Sequence, residues 1–195
     1  MIAGQGATAF VRHAASNPRR PGQRPGRILT LRNPGAKDLP VFTKSIIVDA
    51  TVEAVFAFHE REDALQLLSP AFPPVRVVRK QGGIEPGSRV ELRIGPVRWV
   101  ALHTAFEKDR FFEDQQIEGP FALWIHRHEF EAVGDSTRLT DRIDFALPGG
   151  VWVNRLLGWA VRVGLGPMFR HRHQITRMFC ERPSARSAPP PTINE

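Results

Sequence analysis

Between residues 75 and 147 the chain repeats one pattern six times: a run of alternating polar and apolar residues, then a short turn signal. The runs cover residues 75–80, 88–94, 98–107, 110–118, 122–133 and 137–147. They are separated by Gly82-Gly83, Glu85-Pro86-Gly87, Gly95-Pro96, Lys108-Asp109, Gly119-Pro120 and Gly134-Asp135. Period two marks strands, and connections this short join antiparallel neighbours. Before the runs, residues 41–48 read as a further β-branched strand ending at Asp49, which can cap a short helix over 50–58; a second helical turn or two follows over 63–68. Ser69-Pro70 and Pro73-Pro74 stop that helix. Pro148-Gly149-Gly150 ends the strand series, and residues 151–179 carry helical apolar spacing, with a kink or break expected at Gly164-Leu165-Gly166-Pro167. The expected fold is α+β: a seven-stranded antiparallel meander that must curl, two short helices after strand 1, and a long C-terminal helix covering the concave face. Space between a curved sheet and a helix makes a container for small apolar molecules.

Composition narrows the alternatives. With 195 residues, 42% of them hydrophobic, the chain has enough apolar mass for one domain. The single cysteine, Cys180, excludes an intramolecular disulfide and a cysteine-based zinc site, and without a neighbouring base it reads as inert. No uncharged apolar run is long enough to span a bilayer, and the N-terminus lacks the pattern of a secretory signal, so stable membrane insertion is not expected and a cytoplasmic location is the default. The net charge of +7 raises the question of nucleic acid. The excess sits at the ends: Arg12, Arg19, Arg20, Arg24, Arg27, Arg32 and Lys37 face only Asp38 in residues 1–38, and residues 39–181 carry 18 basic and 18 acidic side chains. The body has no net basic footprint, so no specific nucleic-acid partner is expected. Residues 1–38, rich in Gly, Pro and Arg, read as a disordered basic tail (a transit peptide or an upstream start site are alternatives), 182–195 as a second disordered tail, and 39–181 as the folded domain. The tail should be dispensable for stability. The oligomeric state is left open.

Several motifs in this order resemble the SRPBCC superfamily of START-related proteins, which includes polyketide cyclases. They are the stretch from Ser45 to Phe58, Phe112-x-Asp114-x-Gln116-x-x-Gly119-Pro120-Phe121, Trp124-x-His126-x-His128-x-Phe130, Thr137-x-Leu139-x-Asp141, Leu147-Pro148-x-Gly150 and Met168-Phe169-x-His171-Arg172. The resemblance covers about residues 42–180 and implies the helix-grip fold and an internal ligand cavity. It implies little about chemistry.

Alternation assigns the cavity face. Trp124, His126, His128 and Phe130 share one face of their strand, with Ile125, Arg127 and Glu129 opposite; the face free of formal charge is the inner one. In the next strand Leu139, Asp141, Ile143 and Phe145 point inward. A two-residue turn at Gly134-Asp135 pairs Val133 with Ser136, which sets His128 opposite Asp141, Phe130 opposite Leu139 and Trp124 opposite Phe145. On the other side Asp114 falls opposite His126, with Phe112 and Gln116 beside it. The expected ligand-binding set is Trp99, Phe112, Asp114, Gln116, Trp124, His126, His128, Phe130, Asp141 and Phe145.

A carboxylate on an apolar face needs a partner. The aspartates and histidines form a structural polar belt, or they bind the polar end of a ligand, or His126, His128 and Asp141 act as acid–base groups. A His-x-His metal site is a further alternative. The two histidines stand about 7 Å apart along the strand and would need side-chain bending and a third ligand, so no metal or cofactor is expected. On the last helix His171 and His173 lie about 200° apart and cannot share a site. Trp152 and Trp159, flanked by Arg155 and Arg162, read as a packing stripe with snorkelling arginines in preference to a membrane-surface face. The leading function is binding or transport of a small hydrophobic ligand such as a lipid, polyketide, isoprenoid or aromatic; the rival is a cyclase or dehydratase that moves protons with the cavity His and Asp residues.

Overall fold

The computed structural model describes residues 39–181; the two expected tails lie outside the described residues. The chain runs β1 (Val41–Val48), α1 (Val52–Glu60), α2 (Ala64–Leu67), β2 (Val75–Gln81), β3 (Arg89–Ile94), β4 (Val97–Glu107), β5 (Phe111–Glu118), β6 (Leu123–Val133), β7 (Ser136–Ala146) and α3 (Gly150–Cys180). The seven strands form one antiparallel curved sheet in the order β1-β7-β6-β5-β4-β3-β2. Six are a plain meander. The first strand closes onto the last, because α1 and α2 carry the chain across to the far edge, where β2 begins.

The β6–β7 hairpin has the register read from its turn. Val133 pairs with Ser136, Phe130 with Leu139, His128 with Asp141 and Trp124 with Phe145. Gly134 takes the first turn position at φ 60°, where a two-residue type II′ turn requires glycine. Asp114 pairs with His126 across β5 and β6.

Three expectations are corrected. Asp49 does not cap α1; Thr51 does, its hydroxyl accepting from the Ala54 N–H. The helix is not broken at Gly164–Pro167, since α3 is continuous over 31 residues with Pro167 inside it. One absent N–H is tolerated where packing of the surrounding turns holds the helix. Trp152 and Trp159 do not pack: they are 71% and 59% exposed, and Leu156 and Val163 on the same face are exposed as well.

The inner face of α3 is Gly158, Leu165, Phe169, His173 and Thr176. Gly158 lets the helix approach the chain before β1, because a Cβ there would stand 3.0 Å from the Pro40 ring. Buried residues form two apolar clusters. One gathers Val48, Val55, Phe56, Phe112, Phe130 and Leu139 under α1; the other gathers Phe42, Trp124, Ile143, Phe145, Leu165 and Phe169 under α3.

Candidate functional site

Between the two apolar clusters runs a row of polar side chains, and Asp141 is its centre. Strand alternation turns Asp141 inward, where it is 3% exposed. Its Oδ1 accepts from His126 Nε2 at 2.9 Å, and its Oδ2 from His173 Nε2 of α3 at 2.7 Å. His128 Nδ1 also lies 2.7 Å from Oδ1, although the ring is turned out of good hydrogen-bond alignment. Three buried histidines from two elements therefore surround one carboxylate. Burial alone would raise the Asp141 carboxyl, but the neighbouring imidazoles and their N–H groups outweigh it and hold the group well below the usual carboxylate range. Burial pushes His128 well below its ordinary value, so it is neutral at pH 7.

A second carboxylate closes the row. Asp114 of β5 brings Oδ2 to 3.6 Å from His126 Nδ1. Arg172, one residue before His173 on α3, is partly buried and makes no ion pair within 4 Å among the described residues. Dehydration lowers its guanidinium, while Asp141 and Asp114 act against that shift. His59 of α1 approaches from the other end; its Nδ1 donates to the Val55 carbonyl at 2.8 Å, and burial lowers its pKa to about 4.

This polar row forms one wall of a cavity of about 390 Å³ between the sheet and α3. The remaining walls are mostly apolar, among them Leu92, Trp99, Phe121, Trp124, Leu165 and Phe169. Of the expected set, Trp99, Phe112, Asp114, Trp124, His126 and His128 line the cavity. Gln116, Phe130, Asp141 and Phe145 do not. Gln116 instead clamps the β5–β6 turn, its amide donating to the Phe121 carbonyl and its oxygen accepting from the Phe121 N–H. Phe130 and Phe145 are core residues, one in each apolar cluster, and Asp141 stands behind the histidines that reach the cavity. Sequence reasoning missed Arg172, His173 and His59. The signal available was spacing: His173 lies four residues after Phe169, on the same helix face. Cys180 is half-buried and burial pushes its thiol up to about 11, which leaves it unreactive.

A small apolar cavity under a curved antiparallel sheet and a terminal helix defines a ligand-binding helix-grip protein. Residues 48–171 match the family described as "Polyketide cyclase / dehydrase and lipid transport", and the chain belongs to it. No curated protein matches the sequence. Among solved structures, a START superfamily protein from Mycobacterium smegmatis superposes with a TM-score of 0.53 at 16% identity, over 71% of this chain and 94% of that one. Norcoclaurine synthase from Thalictrum flavum, solved in complex with dopamine and hydroxybenzaldehyde, gives 0.55 at 12% identity, over 83% and 96%. A protein of Thermus thermophilus gives 0.54 at 16%, over 70% and 97%. At these identities the likeness is one of fold.

Two measurements test the row. Asp141→Ala leaves buried imidazole N–H groups without an acceptor and should lower unfolding free energy by about 3–5 kcal/mol. Asp144, on the outer face beside Arg142, should cost about 0.5 kcal/mol or less when changed to Ala. Denaturant titration of both variants reads the difference; equal losses would contradict the geometry. The second test is acid stability. His59 has a folded pKa depressed from 6.5 to about 4, so the unfolded chain binds the extra proton first. Its contribution is intact above pH 6.5 and is lost as pH falls towards 4, by on the order of 3 kcal/mol. His59→Leu should flatten that part of the stability profile, and an unchanged slope would refute the assignment.

Proposed function

We propose that the protein reversibly binds or carries a small, largely apolar molecule in the cavity between the sheet and α3: a lipid, polyketide, isoprenoid or aromatic compound. The observation that carries this reading is the cavity itself. Its volume of about 390 Å³ lies in the range of roughly 300–1,000 Å³ typical of small-molecule sites. Aromatic and aliphatic walls supply affinity by removing apolar surface from water, at about 25 cal/mol per Å² before the cost of ordering the ligand. His126, His128, Asp114 and Arg172 gather the polar groups at one wall, so a ligand with one polar end would bind in a single orientation.

The same wall supports binding more readily than acid–base chemistry through Asp141. A general base must present a free lone pair to the substrate. Both oxygens of Asp141 are taken up by imidazole nitrogens, and the residue has no cavity surface. A cyclase or dehydratase would have to rely on His126 and His128 at the wall. Solvent extracts of the purified protein, analysed by mass spectrometry, should yield a bound apolar compound. Ala101→Phe, which fills the cavity from β4, should weaken binding of an apolar fluorescent probe by at least about tenfold at the cost of moderate overpacking. Unweakened probe binding by this variant would refute the cavity as the site. Time-dependent conversion of the extracted compound by the wild type, lost in His128→Ala, would instead establish the enzyme.

A further inference from the structure

We propose that Asp114, His126 and His128 form a binding site for a divalent transition-metal ion, open towards the cavity. The argument begins with where the imidazole protons must be. His126 donates from Nε2 to Asp141, so its Nδ1 presents a lone pair, and that lone pair faces the Asp114 carboxylate at 3.6 Å. Two acceptors facing each other at low exposure repel unless a cation stands between them. His128 Nδ1 lies 2.7 Å from Asp141 Oδ1, and a proton on that nitrogen leaves Nε2 as a second lone pair. Donor atoms of Asp114, His126 and His128 all lie within 4.8 Å of one another. Ligands on one ion at about 2.1 Å are separated by about 3.3 Å, so small side-chain rotations close the set. The His126 and His128 ring centroids are already 3.9 Å apart.

Charge points the same way. Asp114 and Asp141 stand at the two ring nitrogens of His126, and Arg172 is the guanidinium that lines the cavity beside them. Asp141 has the place of the carboxylate that commonly receives the far N–H of a metal-bound histidine, and here it serves two of them. Two imidazoles and one carboxylate suit zinc or ferrous iron, with further positions left for water or a ligand in the cavity. The alternative cation is a proton held between His126 and Asp114.

The full-length protein, stripped with chelator and titrated with Zn²⁺ at pH 7.5, should take up one equivalent at micromolar affinity or better. Co²⁺ in its place should give a visible ligand-field spectrum. Asp114→Asn is nearly isosteric and should weaken Zn²⁺ at least about tenfold without lowering the melting temperature of the metal-free protein. His171→Ala, on α3 and outside the set, should leave the titration unchanged. The proposal is overturned if Zn²⁺ is not bound stoichiometrically, if Asp114→Asn binds as the wild type does, or if nitrogen-15 NMR shows both His126 ring nitrogens still protonated with Zn²⁺ present. None of these outcomes depends on an apolar ligand, so this site and the binding function fail separately.

A different observation carries a second inference. Trp152, Leu156, Trp159 and Val163 are all exposed and fall within about 60° of one another around α3. Arg155 and Arg162 flank them, and none of the 31 residues of α3 is acidic. Exposed indoles bordered by arginines on a wholly non-acidic helix fit the interfacial region of an anionic bilayer. We infer that this face adsorbs to anionic lipid surfaces without crossing them, since no described helix is long and apolar enough to span. The full-length protein should co-sediment with phosphatidylcholine vesicles containing phosphatidylglycerol. Trp152→Ala/Trp159→Ala keeps every charge, including those of residues 1–38, and should reduce the partition at least about tenfold. Unchanged partition would overturn the inference. So would light scattering that shows a wild-type dimer dissociated by the same double variant, because a second copy would then be what covers the face.

Discussion

A carboxylate with 3% of its surface in water is the most demanding group in this structure, and the positions of three elements follow from satisfying it. Burying a charge costs several kcal/mol unless hydrogen bonds replace the lost water. Asp141 obtains those bonds from His126 and His173 and has a third imidazole nitrogen, from His128, in contact. The strand partners are supplied by hairpin register alone. His173 is not, and its bond to Oδ2 fixes both the rotation of α3 about its axis and its height along the sheet. A helix held only by leucines and phenylalanines could slide with little penalty; one holding the second oxygen of a buried aspartate cannot.

The same row organises the apolar interior. Along β6 the inward sequence is Trp124, His126, His128, Phe130; along β7 it is Phe145, Ile143, Asp141, Leu139; along α3 it is Phe169, His173, Thr176. Each element passes from an apolar cluster to polar residues, so the polar groups align into one layer with a cluster on either side. Where the layer runs on to β5 and β4 the cavity opens between sheet and helices, with Trp99 and Leu92 among its apolar walls. The cavity is thus bounded by a wall that cannot collapse into it. Filling it with side chains of α3 would displace the bonds to Asp141.

Much of this was legible before any coordinates. Period two and the Gly134-Asp135 turn suffice to put His128 opposite Asp141, because a two-residue hairpin admits one register and alternation then decides every face. The cavity residues Phe112, Asp114, Trp124, His126 and His128 follow from that rule. What alternation cannot supply is depth. It places Phe130, Phe145 and Asp141 on the inner face without telling whether they reach the cavity or lie beneath neighbours. Nor does it relate a helix to a sheet, so His173 and Arg172 stayed invisible as partners of the strand residues. On α3 itself, glycine and proline argued for a break that tertiary packing overrides, and the Trp152–Trp159 stripe looked like core because helical periodicity marks a face without saying what covers it.

The choice of histidine around Asp141 has an electrostatic consequence. Lysine or arginine would satisfy the carboxylate and cancel its charge at once. A neutral imidazole supplies the N–H and leaves the negative charge in place. On the far side of the ring from Asp141, His126 Nδ1 faces Asp114 Oδ2 at 3.6 Å. Imidazole donors in place of lysine or arginine therefore leave a need for positive charge on the outer side of the rings. Arg172 meets part of it from α3, yet Asp114 adds a further negative charge on the far side of His126. The wall of the cavity is consequently an array of acceptors under a negative field, held rigid from behind by β-sheet register. Whatever completes it must bring protons or positive charge, and it must fit beside aromatic walls that exclude most water.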